Sequence, residues 1–518
     1  MEWLRELLFG STTQQHLIPA GYQLAIRGVL GYTLAKLSWS MSQDLADWLS
    51  GEAPAVCKNR EGVPFGMVSG PLGLWQNTVR FMEGDNRHKC LVGATRMGKS
   101  ETAAQFVRNT NTGVCFLCND DGKIVDRIIA SLPKERLDKL VVINHADPSW
   151  IIPIGVVLRP DDYHLQDTIS NQWAAFFENN FNVDGTMYQT AEVINYACRA
   201  VFSINDTTFY DVYKMVKDPG HRLRILAKLD PANYQHRDII DYWKAKMVDE
   251  KAEQKLQKEA AAFLRRASSL FKDRMLQYTL GKRPENMNYR HWLDSGCTVL
   301  IKTPESLGED TVRIIQAIHA ISFWQAALMR DRVPEHERKP FWLIADEPQT
   351  WLFNNAKTID SIFSKAAKYR LFMVLAFQSF AQISDENPKL LRKIQDNAPD
   401  LLVFRTSKRN IEIDIKNDKE FEVQHQPRFK FVASIDGNRF FKCNSVGKLP
   451  TARDQNEVAK ILRINRQKFN VPYTRIARVI EGREPVCNEL QIPSSSAKLG
   501  PGSQKETKRS SNSFTIAE

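Results

Sequence analysis

Apolar and polar positions alternate along much of the chain in a pattern typical of strands separated by helices. Residues 89–92, 113–117 and 140–144 are short apolar runs, which predict buried strands. The stretches 101–107 and 124–132 between them are amphipathic and predict helices. Because strands that alternate with helices form βαβ units, this region predicts a mostly parallel sheet with helices on both faces.

The strand pattern fades between about residue 160 and residue 286. Helical periodicity marks the stretches 164–180, 187–202, 209–217 and 238–280. The last stretch is rich in lysine and arginine, a pattern that is usually a solvated helix face and whose alternative is contact with DNA. Its basic residues are Lys251, Lys255, Lys258, Arg265, Arg266, Lys272 and Arg274. We therefore predict an all-α domain inserted into the sheet domain.

The sheet pattern resumes after residue 286 and ends near Gly447. Predicted strands cover 297–301, 340–347, 371–377 and 400–405, and predicted helices cover 308–329 and 359–368. A basic helical stretch follows, and the Ser/Lys/Gly-rich end is predicted to be disordered. The predicted organisation is an N-terminal helical appendage (1–60), a sheet domain in two parts (61–159 and 287–447), the inserted all-α domain (160–286), a helical extension (448–493) and a tail (494–518).

Composition indicates an ordinary globular protein and excludes few functions. The chain has 518 residues, 43% of them hydrophobic and 25% charged, which is enough for two or three domains. A net charge of +11 permits nucleic acid as a partner without requiring it. Eight cysteines without a regular framework, and a start that is charged rather than apolar, favour a reducing, cytoplasmic location.

Two local patterns have simple interpretations. Cys115 and Cys118 form a C-x-x-C within an apolar run, and since no second pair stands at zinc spacing, we interpret them as buried strand thiols.

The most apolar stretch, residues 16–39, contains Arg27 and Lys36 and is not a membrane-spanning segment. An amphipathic helix that lies against a partner or a membrane surface is left open there.

The strongest motif is a glycine-rich loop that begins where the first predicted strand ends. It reads Gly93, Ala94, Thr95, Arg96, Met97, Gly98, Lys99, Ser100, and together with Glu101, which follows it, these are the candidate cofactor-binding residues. This matches the P-loop pattern, in which backbone N–H groups and a helix N-terminus hold phosphates. Lys99 would reach the β- and γ-phosphates and Ser100 would bind Mg²⁺. Many such loops have a second glycine where this one has Arg96 and Met97, and Arg96 either adds charge at the phosphates or points to solvent.

Polar side chains follow two later strands. Asp346 and Glu347 end the predicted strand 340–347, and Gln378 follows strand 371–377. Since ligands bind beyond the carboxyl ends of parallel strands, Asp346 is a candidate Mg²⁺ ligand and Glu347 a candidate general base. Gln378 is a candidate to sense the γ-phosphate or to orient the attacking water. A helix N-cap is the alternative role for the two carboxylates.

Several short segments accompany these motifs in a specific combination. They are residues 87–93, 120–122, 147–148, 292–300, 337–340 and 377–379. Together they resemble the FtsK–HerA superfamily of P-loop ATPases, and most of all the coupling ATPases of conjugation and type IV secretion. The resemblance covers roughly residues 65–407. It implies an α/β fold with a RecA-like P-loop ATPase domain, a mostly parallel sheet and an inserted all-α domain.

The resemblance also implies a function and partners. Such proteins are ATP- and Mg²⁺-dependent motors that translocate DNA, usually as homohexamers with DNA in a central channel and nucleotide between subunits. Lys99, Glu347 and Gln378 take the catalytic roles in this interpretation, and Ser100 and Asp346 hold the metal. The expected further partners are a relaxase and secretion-channel proteins.

Two departures from the family pattern keep alternatives open. Members often carry an arginine before the glutamine strand that acts across the subunit interface, and the matching position here is Ala367; Lys368, Arg370 or Arg405 could replace it. Coupling proteins are usually anchored by N-terminal membrane helices, which the sequence does not indicate. This favours a cytoplasmic protein with at most peripheral contact at the inner membrane face, or a viral or plasmid genome-packaging motor with capsid partners. A nucleotide-gated assembly switch is the alternative outside the motor class.

Overall fold

The structure is a computed structural model, and it describes part of the chain. The described residues are 62–69, 76–81, 87–119, 123–155, 163–181, 188–204, 207–352, 355–406, 423–435 and 441–480. The predicted appendage (1–60), the amphipathic stretch 16–39, the turn 120–122 and the predicted tail (494–518) lie outside these residues.

Short apolar segments form the strands. The strands are β1 (Val63–Ser69), β2 (Gln76–Phe81), β3 (Lys89–Val92), β4 (Gly113–Cys118), β5 (Leu140–Asn144), β6 (Trp150–Ile151), β7 (Thr298–Lys302), β8 (Phe341–Asp346), β9 (Leu371–Phe377), β10 (Asp400–Phe404), β11 (Lys430–Ser434), β12 (Phe441–Ser445) and β13 (Val471–Pro472). Every residue of β3, β4, β7 and β9 is buried. Strands covered on both faces are expected to be continuous apolar runs, as these are.

Within the described residues, eleven strands form one sheet, in the order β2-β1-β12-β11-β10-β3-β9-β8-β4-β7-β5. All neighbours from β10 to β5 in this order are parallel. The other four strands extend the sheet from β10 in antiparallel pairs. This confirms the predicted mostly parallel sheet. The antiparallel strands β11 and β12 were not predicted from the sequence.

Helices join the strands of the sheet and cover its faces. They are α1 (Lys99–Asn109), α2 (Lys123–Ser131), α3 (Lys134–Leu137), α12 (Tyr289–Ser295), α13 (Glu309–Leu328), α14 (Gln349–Leu352), α15 (Ala356–Lys365), α16 (Ala381–Glu386) and α17 (Pro388–Asn397). Alternate strand residues point to opposite faces, so Leu343 belongs to one apolar core with α13, whereas Ile344 belongs to another with α1 and α2. Each face of the sheet therefore has its own core.

Only helices occur among the described residues between β6 and β7. They are α4 (Tyr163–Asn180), α5 (Tyr188–Phe202), α6 (Phe209–Lys217), α7 (Pro219–Leu226), α8 (Tyr234–Ala245), α9 (Glu250–Glu259), α10 (Ala261–Leu270) and α11 (Arg274–Gly281). The stretch 238–280 is divided into several helices because Asp249 and Asp273 cap new helix starts by accepting backbone N–H bonds. The domain boundaries assigned from the sequence stay a prediction.

The last described segment returns to the first half of the sheet. It contains α18 (Gln455–Phe469), β13 and α19 (Tyr473–Ile480). The Asn465 side chain accepts a hydrogen bond of 2.9 Å from the backbone N–H of Val142, on the edge strand β5. Arg453 donates to carbonyls at the C-terminal end of α2, including that of Leu132 at 2.5 Å. These bonds satisfy groups that the sheet edge and the helix end leave open.

No helix in the described ranges has both the length and the apolarity needed to cross a bilayer.

Candidate functional site

The three polar motifs predicted from the sequence meet at one edge of the sheet. Strand β9 lies between β3 and β8, and all three are parallel. Val92 is paired with Phe377, and Asp346 is paired with Ala376. The loop after β3, Gln378 after β9 and the carboxylates at the end of β8 therefore lie side by side, at the edge where parallel sheets bind ligands.

Two glycines allow the loop to turn tightly. Gly93 has φ 150° and Gly98 has φ 117°, values that residues with a Cβ rarely adopt. A Cβ on Gly93 would stand 2.6 Å from the Cβ of Phe404, and one on Gly98 would stand 2.9 Å from the ring of Phe429. Neither position can hold another residue without displacing its neighbour.

The loop is fixed to the strands on both sides. The N–H of Gly93 donates to the carbonyl of Phe377 at 3.1 Å, and the N–H of Ala94 donates to the carbonyl of Arg405 at 2.9 Å. The next residues, Thr95 and Arg96, are exposed. The loop thus has a rigid base on β9 and β10 and an open rim.

Arg96 occupies a backbone conformation that is unusual for its residue type. Its φ is 62°, in the left-handed region. This is the part of the loop where many P-loops have a second glycine, so the backbone geometry is kept although the glycine is absent. Met97 beside it is buried in the core that contains α1.

Lys99 is folded back onto its own loop. Its Nζ donates to the carbonyl of Gly93 at 2.5 Å and to that of Ala94 at 3.0 Å. Burial lowers its pKa, and the nearby carboxylates of Asp346 and Glu347 oppose that shift. An ammonium group is therefore held at the base of the loop beside two carboxylates.

Ser100 and Asp346 are in direct contact. The Ser100 hydroxyl donates to Oδ2 of Asp346 at 2.6 Å. A hydroxyl and a carboxylate oxygen are ligands of the type that Mg²⁺ prefers, and two such groups at a P-loop with phosphate oxygens nearby form a typical magnesium site. The donor set therefore fits this metal.

Glu347 and Gln378 form a second contact beside the first. The Gln378 amide donates to Oε1 of Glu347 at 2.6 Å. Glu347 has φ 53°, and its N–H donates to the carbonyl of Ala376 at 3.0 Å. A left-handed non-glycine residue is strained, and such strain concentrates at functional sites. The backbone here turns the carboxylate toward the glutamine instead of continuing the strand.

Glu101 is the predicted site residue that lies apart from this group. Its carboxylate accepts two bonds from Arg127, at 2.8 and 2.7 Å, and one from the N–H of Leu449 at 3.0 Å. The Glu101 side chain thus joins α1 to α2 and to the segment before α18.

The three candidate replacements for the arginine that is absent at Ala367 lie at two different edges of the sheet. Lys368 and Arg370 stand before β9, at the amino edge of the sheet, next to the partly buried Ala367. Arg405 follows β10, and its carbonyl binds the P-loop at Ala94. Of these three cations, Arg405 alone lies at the carboxyl edge of the sheet, beside the glycine-rich loop.

A second cluster of polar side chains lies farther along the same edge of the sheet, where α13 covers it. The Gln316 amide donates to Asn119, which follows β4, and to the Thr303 hydroxyl after β7 at 2.6 Å. His145 follows β5, and its Nε2 lies 3.1 Å from Nε2 of His319. The Asn119, His145, Thr303, Gln316 and His319 side chains are all buried.

Burial keeps the two histidines neutral. Desolvation lowers the pKa of His145 to about 3 and that of His319 well below its ordinary value. The Tyr289 hydroxyl lies 2.8 Å from Nδ1 of His319. No sequence motif marks this cluster, because its members are single residues on separate elements.

Several segments that carry the family resemblance have structural roles. Nδ1 of His88 accepts the N–H of Met373 at 2.9 Å, so its Nε2 carries the proton and donates to the carbonyl of Phe363 at 3.2 Å. Lys89 forms a fully buried ion pair with Asp400 between the first residues of β3 and β10. These contacts fix the P-loop strand at the edge opposite the site.

The other sequence patterns lie away from the site. Cys115 and Cys118 are buried in β4. The basic side chains of α9 and α10 are exposed: Lys251, Lys255, Lys258, Arg265 and Arg266.

Sequence reasoning also missed a turn that covers the loop. Residues 427–430 form a turn that leads into β11, and there the N–H of Phe429 donates to the carbonyl of Met97 at 2.9 Å. Nε of Arg428 donates to the carbonyl of Arg96 at 3.0 Å. These residues have no motif of their own, and only the folded chain brings them to the P-loop.

No protein-family model matches the sequence, and no curated protein matches it. Solved structures resemble it. The unbound bacterial conjugative coupling protein TrwB aligns with a TM-score of 0.53 and 14% identity, over 77% of this chain and 91% of that chain. The plasmid coupling protein TrwB in complex with ADP and Mg²⁺ aligns with a TM-score of 0.52 and 14% identity, over 76% and 92%. TrwB with the ATP analogue ADPNP gives 0.50 and 15%, over 72% and 89%.

The chain therefore has the fold of the conjugative coupling proteins. The likeness expected from its motifs is confirmed at the level of the fold.

Proposed function

We propose that the protein is an ATP hydrolase that drives DNA translocation, of the coupling type that serves conjugation or type IV secretion. The observation that carries the proposal is the convergence of the P-loop, the Ser100–Asp346 pair and the Glu347–Gln378 pair at one sheet edge. The fold shared with the coupling proteins supports it. In this proposal residues 61–159 and 287–447 form the ATPase domain, and residues 160–286 form an inserted all-α domain.

The loop would bind the nucleotide through its backbone N–H groups and the N-terminus of α1. When ATP enters, the Lys99 ammonium exchanges the carbonyls of Gly93 and Ala94 for phosphate oxygens. Ser100 and Asp346 would hold Mg²⁺, which neutralises charge on the phosphates when bound.

Glu347 is the proposed general base. Its carboxylate would accept a proton from the water whose oxygen bonds to the γ-phosphorus, while the bond from that phosphorus to the β–γ bridging oxygen breaks and ADP leaves. The Gln378 amide, which now donates to the Glu347 carboxylate, would hold this group or the water in place. Glu347 is only partly buried, so water would have access to it.

The proposal that the protein translocates DNA rests on the net charge and on the family resemblance. A net charge of +11 suits a polyanionic partner. A homohexamer with DNA in its channel is the proposed assembly, and the exposed basic side chains of α9 and α10 are a candidate contact for phosphates. A genome-packaging motor and a nucleotide-gated switch are the competing functions.

The test is the rate of ATP hydrolysis without DNA, with duplex DNA and with single-stranded DNA, across a range of protein concentrations. Strong stimulation by DNA, steeply dependent on protein concentration, is expected for an oligomeric motor. Hydrolysis that ignores DNA would overturn the DNA-motor assignment in favour of the switch. Displacement of streptavidin from biotinylated DNA is a second measurement, because only a translocating motor removes such a block.

Lys99→Ala tests the nucleotide site itself. Loss of the ammonium should weaken nucleotide binding and abolish hydrolysis, since the phosphates lose their main cation. Lys460→Ala, on the exposed face of α18, is the matched control and should behave as the unmodified protein. Normal turnover in Lys99→Ala would end the P-loop assignment.

A further inference from the structure

The turn at residues 427–430 is fixed to the nucleotide loop on one side and to the sheet on the other. Phe429 donates its N–H to the Met97 carbonyl at 2.9 Å, and its own carbonyl accepts the N–H of Ser445 at 2.7 Å. The turn closes on itself through the N–H of Lys430, which donates to the carbonyl of Pro427 at 3.3 Å. Its position over the P-loop is thus set by backbone bonds.

Phe429 has a conformation that its residue type rarely adopts. It is the third residue of the turn and has φ 64°. In a turn of this geometry the third position favours glycine or asparagine, because a Cβ is strained there. A bulky aromatic residue at such a position is a conformational outlier, and an outlier beside a ligand loop points to a role in binding.

The ring is not explained by core packing. Phe429 is 36% exposed, and its ring edge lies against Gly98, the residue before α1 begins. The guanidinium of Arg428 stands 5.4 Å from the ring centroid, a cation–π distance, and donates to the Arg96 carbonyl. The loop therefore contacts one edge of the Phe429 ring, and Arg428 stands over one of its faces. Part of the side chain remains open to solvent.

We propose that Phe429, supported by Arg428, is the platform on which the base of a purine nucleotide stacks when its phosphates lie in the P-loop. This rests on the proposed nucleotide site and adds the surface that recognises the rest of the ligand. A base presents a π face to an aromatic ring, and a purine presents a larger one than a pyrimidine. The ring stands beside Gly98 at the start of α1, and a nucleotide with its phosphates in the loop would extend its ribose and base beyond them.

The competing explanation is that the turn only buttresses the P-loop. The two explanations differ in the ligand they affect. A base platform affects ligands that carry a base, whereas a buttress affects every ligand that the loop holds. Inorganic tripolyphosphate is the probe that separates them, because it has the phosphate chain and no base.

The experiment measures the affinity of the full chain for Mg²⁺-ATP, Mg²⁺-CTP and Mg²⁺-tripolyphosphate by calorimetry, with Phe429→Gly as the main variant. Glycine suits φ 64° better than phenylalanine, so this variant removes the ring while relieving backbone strain and should remain folded. We expect its affinity for ATP to fall about tenfold, the loss expected of one stacked base. We expect its affinity for tripolyphosphate to stay unchanged and its preference for ATP over CTP to shrink.

Phe429→Trp is the conservative variant and should retain the ATP affinity, because indole also stacks. Its added tryptophan fluorescence should change with ATP and not with tripolyphosphate. Tyr234→Ala is the matched control, since Tyr234 is 82% exposed on α8, outside the site elements.

Three results would overturn the platform. They are equal losses of ATP and tripolyphosphate in Phe429→Gly, an ATP affinity that the variant does not change, and a Phe429→Trp signal that ignores the base. Failure of the proposed nucleotide site looks different, because then the unmodified chain would bind neither ATP nor tripolyphosphate.

Discussion

Two parts of the carboxyl edge of the sheet carry polar side chains but differ in charge and in cover. Beyond the ends of β3, β9 and β8 the polar groups include the ionisable side chains of Lys99, Asp346 and Glu347, and the loop rim is open. At the ends of β4, β7 and β5 the groups are Asn119, Thr303 and His145, and α13 buries them. The strands are parallel and of similar length in both parts.

The difference shows that strand geometry alone does not create a reactive site. Burial disfavours the charged form of any group, and the covered cluster is held by hydrogen bonds between neutral side chains, such as those from Gln316 to Asn119 and Thr303. The uncovered part keeps charges because Asp346 and Glu347 are only partly buried and lie near the Lys99 ammonium, so that opposite charges offset one another. Removing groups from each part should therefore affect different properties: turnover in the open part and stability in the covered part.

Glu347→Gln should have the largest effect and should act on turnover. Loss of the proposed base is expected to slow hydrolysis about 10²- to 10⁴-fold while ATP still binds. The thermal midpoint should change little, since the site is not a packed core. Single-turnover hydrolysis and ATP retention on a filter measure the two properties. Glu335→Gln, at an exposed position outside the site, is the control, and unchanged turnover in Glu347→Gln would remove Glu347 as the base.

Gln316→Leu should have the next largest effect and should act on stability. It removes the donor to Asn119 and Thr303 and leaves buried polar atoms unpaired, at a cost of about 1–3 kcal/mol. The urea midpoint of the sheet transition measures this loss. Gln254→Leu on the exposed side of α9 should change the midpoint little. A stability equal to that of the unmodified protein would contradict the covered network.

The covered histidines should make stability depend on pH. The folded-state pKa of His145 is about 3, below its ordinary 6.5, so the unfolded chain takes up the proton first. The stability present above pH 6.5 is therefore lost as the pH falls, by about 1.4 kcal/mol per pH unit for each such histidine. His319→Gln should flatten this slope between about pH 6 and pH 4, whereas the exposed His336→Gln should not. An unchanged slope would show that His319 is charged in the folded protein.

Glu101→Gln should have the smallest effect and tests whether this side chain belongs to the open part. Its bond to the partly exposed Arg127 is expected to contribute about 0.5–1 kcal/mol, reduced by solvent screening. A double-mutant cycle with Arg127→Gln measures that coupling from thermal midpoints. Nucleotide affinity should remain the same, and a large loss of ATP binding would return Glu101 to the nucleotide site.

Local patterns were sufficient to predict the parallel half of the sheet and most of the site. Strands β3, β8 and β9 are continuous apolar runs, and the groups at their ends follow from where those runs stop. The strands β11 and β12 were missed because their apolar runs are short, Lys442 interrupts that of β12, and each strand is defined by its pairing with other strands. The local signal for these strands is therefore weak.

The parts of the site that were missed depend on tertiary structure. Phe429 is recognisable only from its φ and from its bonds to the P-loop, neither of which the sequence records. His145 and His319 meet only after α13 packs on the sheet. The division of the stretch 238–280 could have been found, because Asp249 and Asp273 are ordinary N-cap residues.

The place of β3 in the sheet has a consequence for synthesis on the ribosome. Its only hydrogen-bonded neighbours in the described sheet are β9 and β10. The ion-pair partner of its buried Lys89 is Asp400, which is synthesised 311 residues later. At roughly 5–20 residues per second, translation takes about 15–60 s to supply that partner. During this interval the nascent chain already contains the whole P-loop but not the strands that hold it, so nucleotide binding should begin only late in translation.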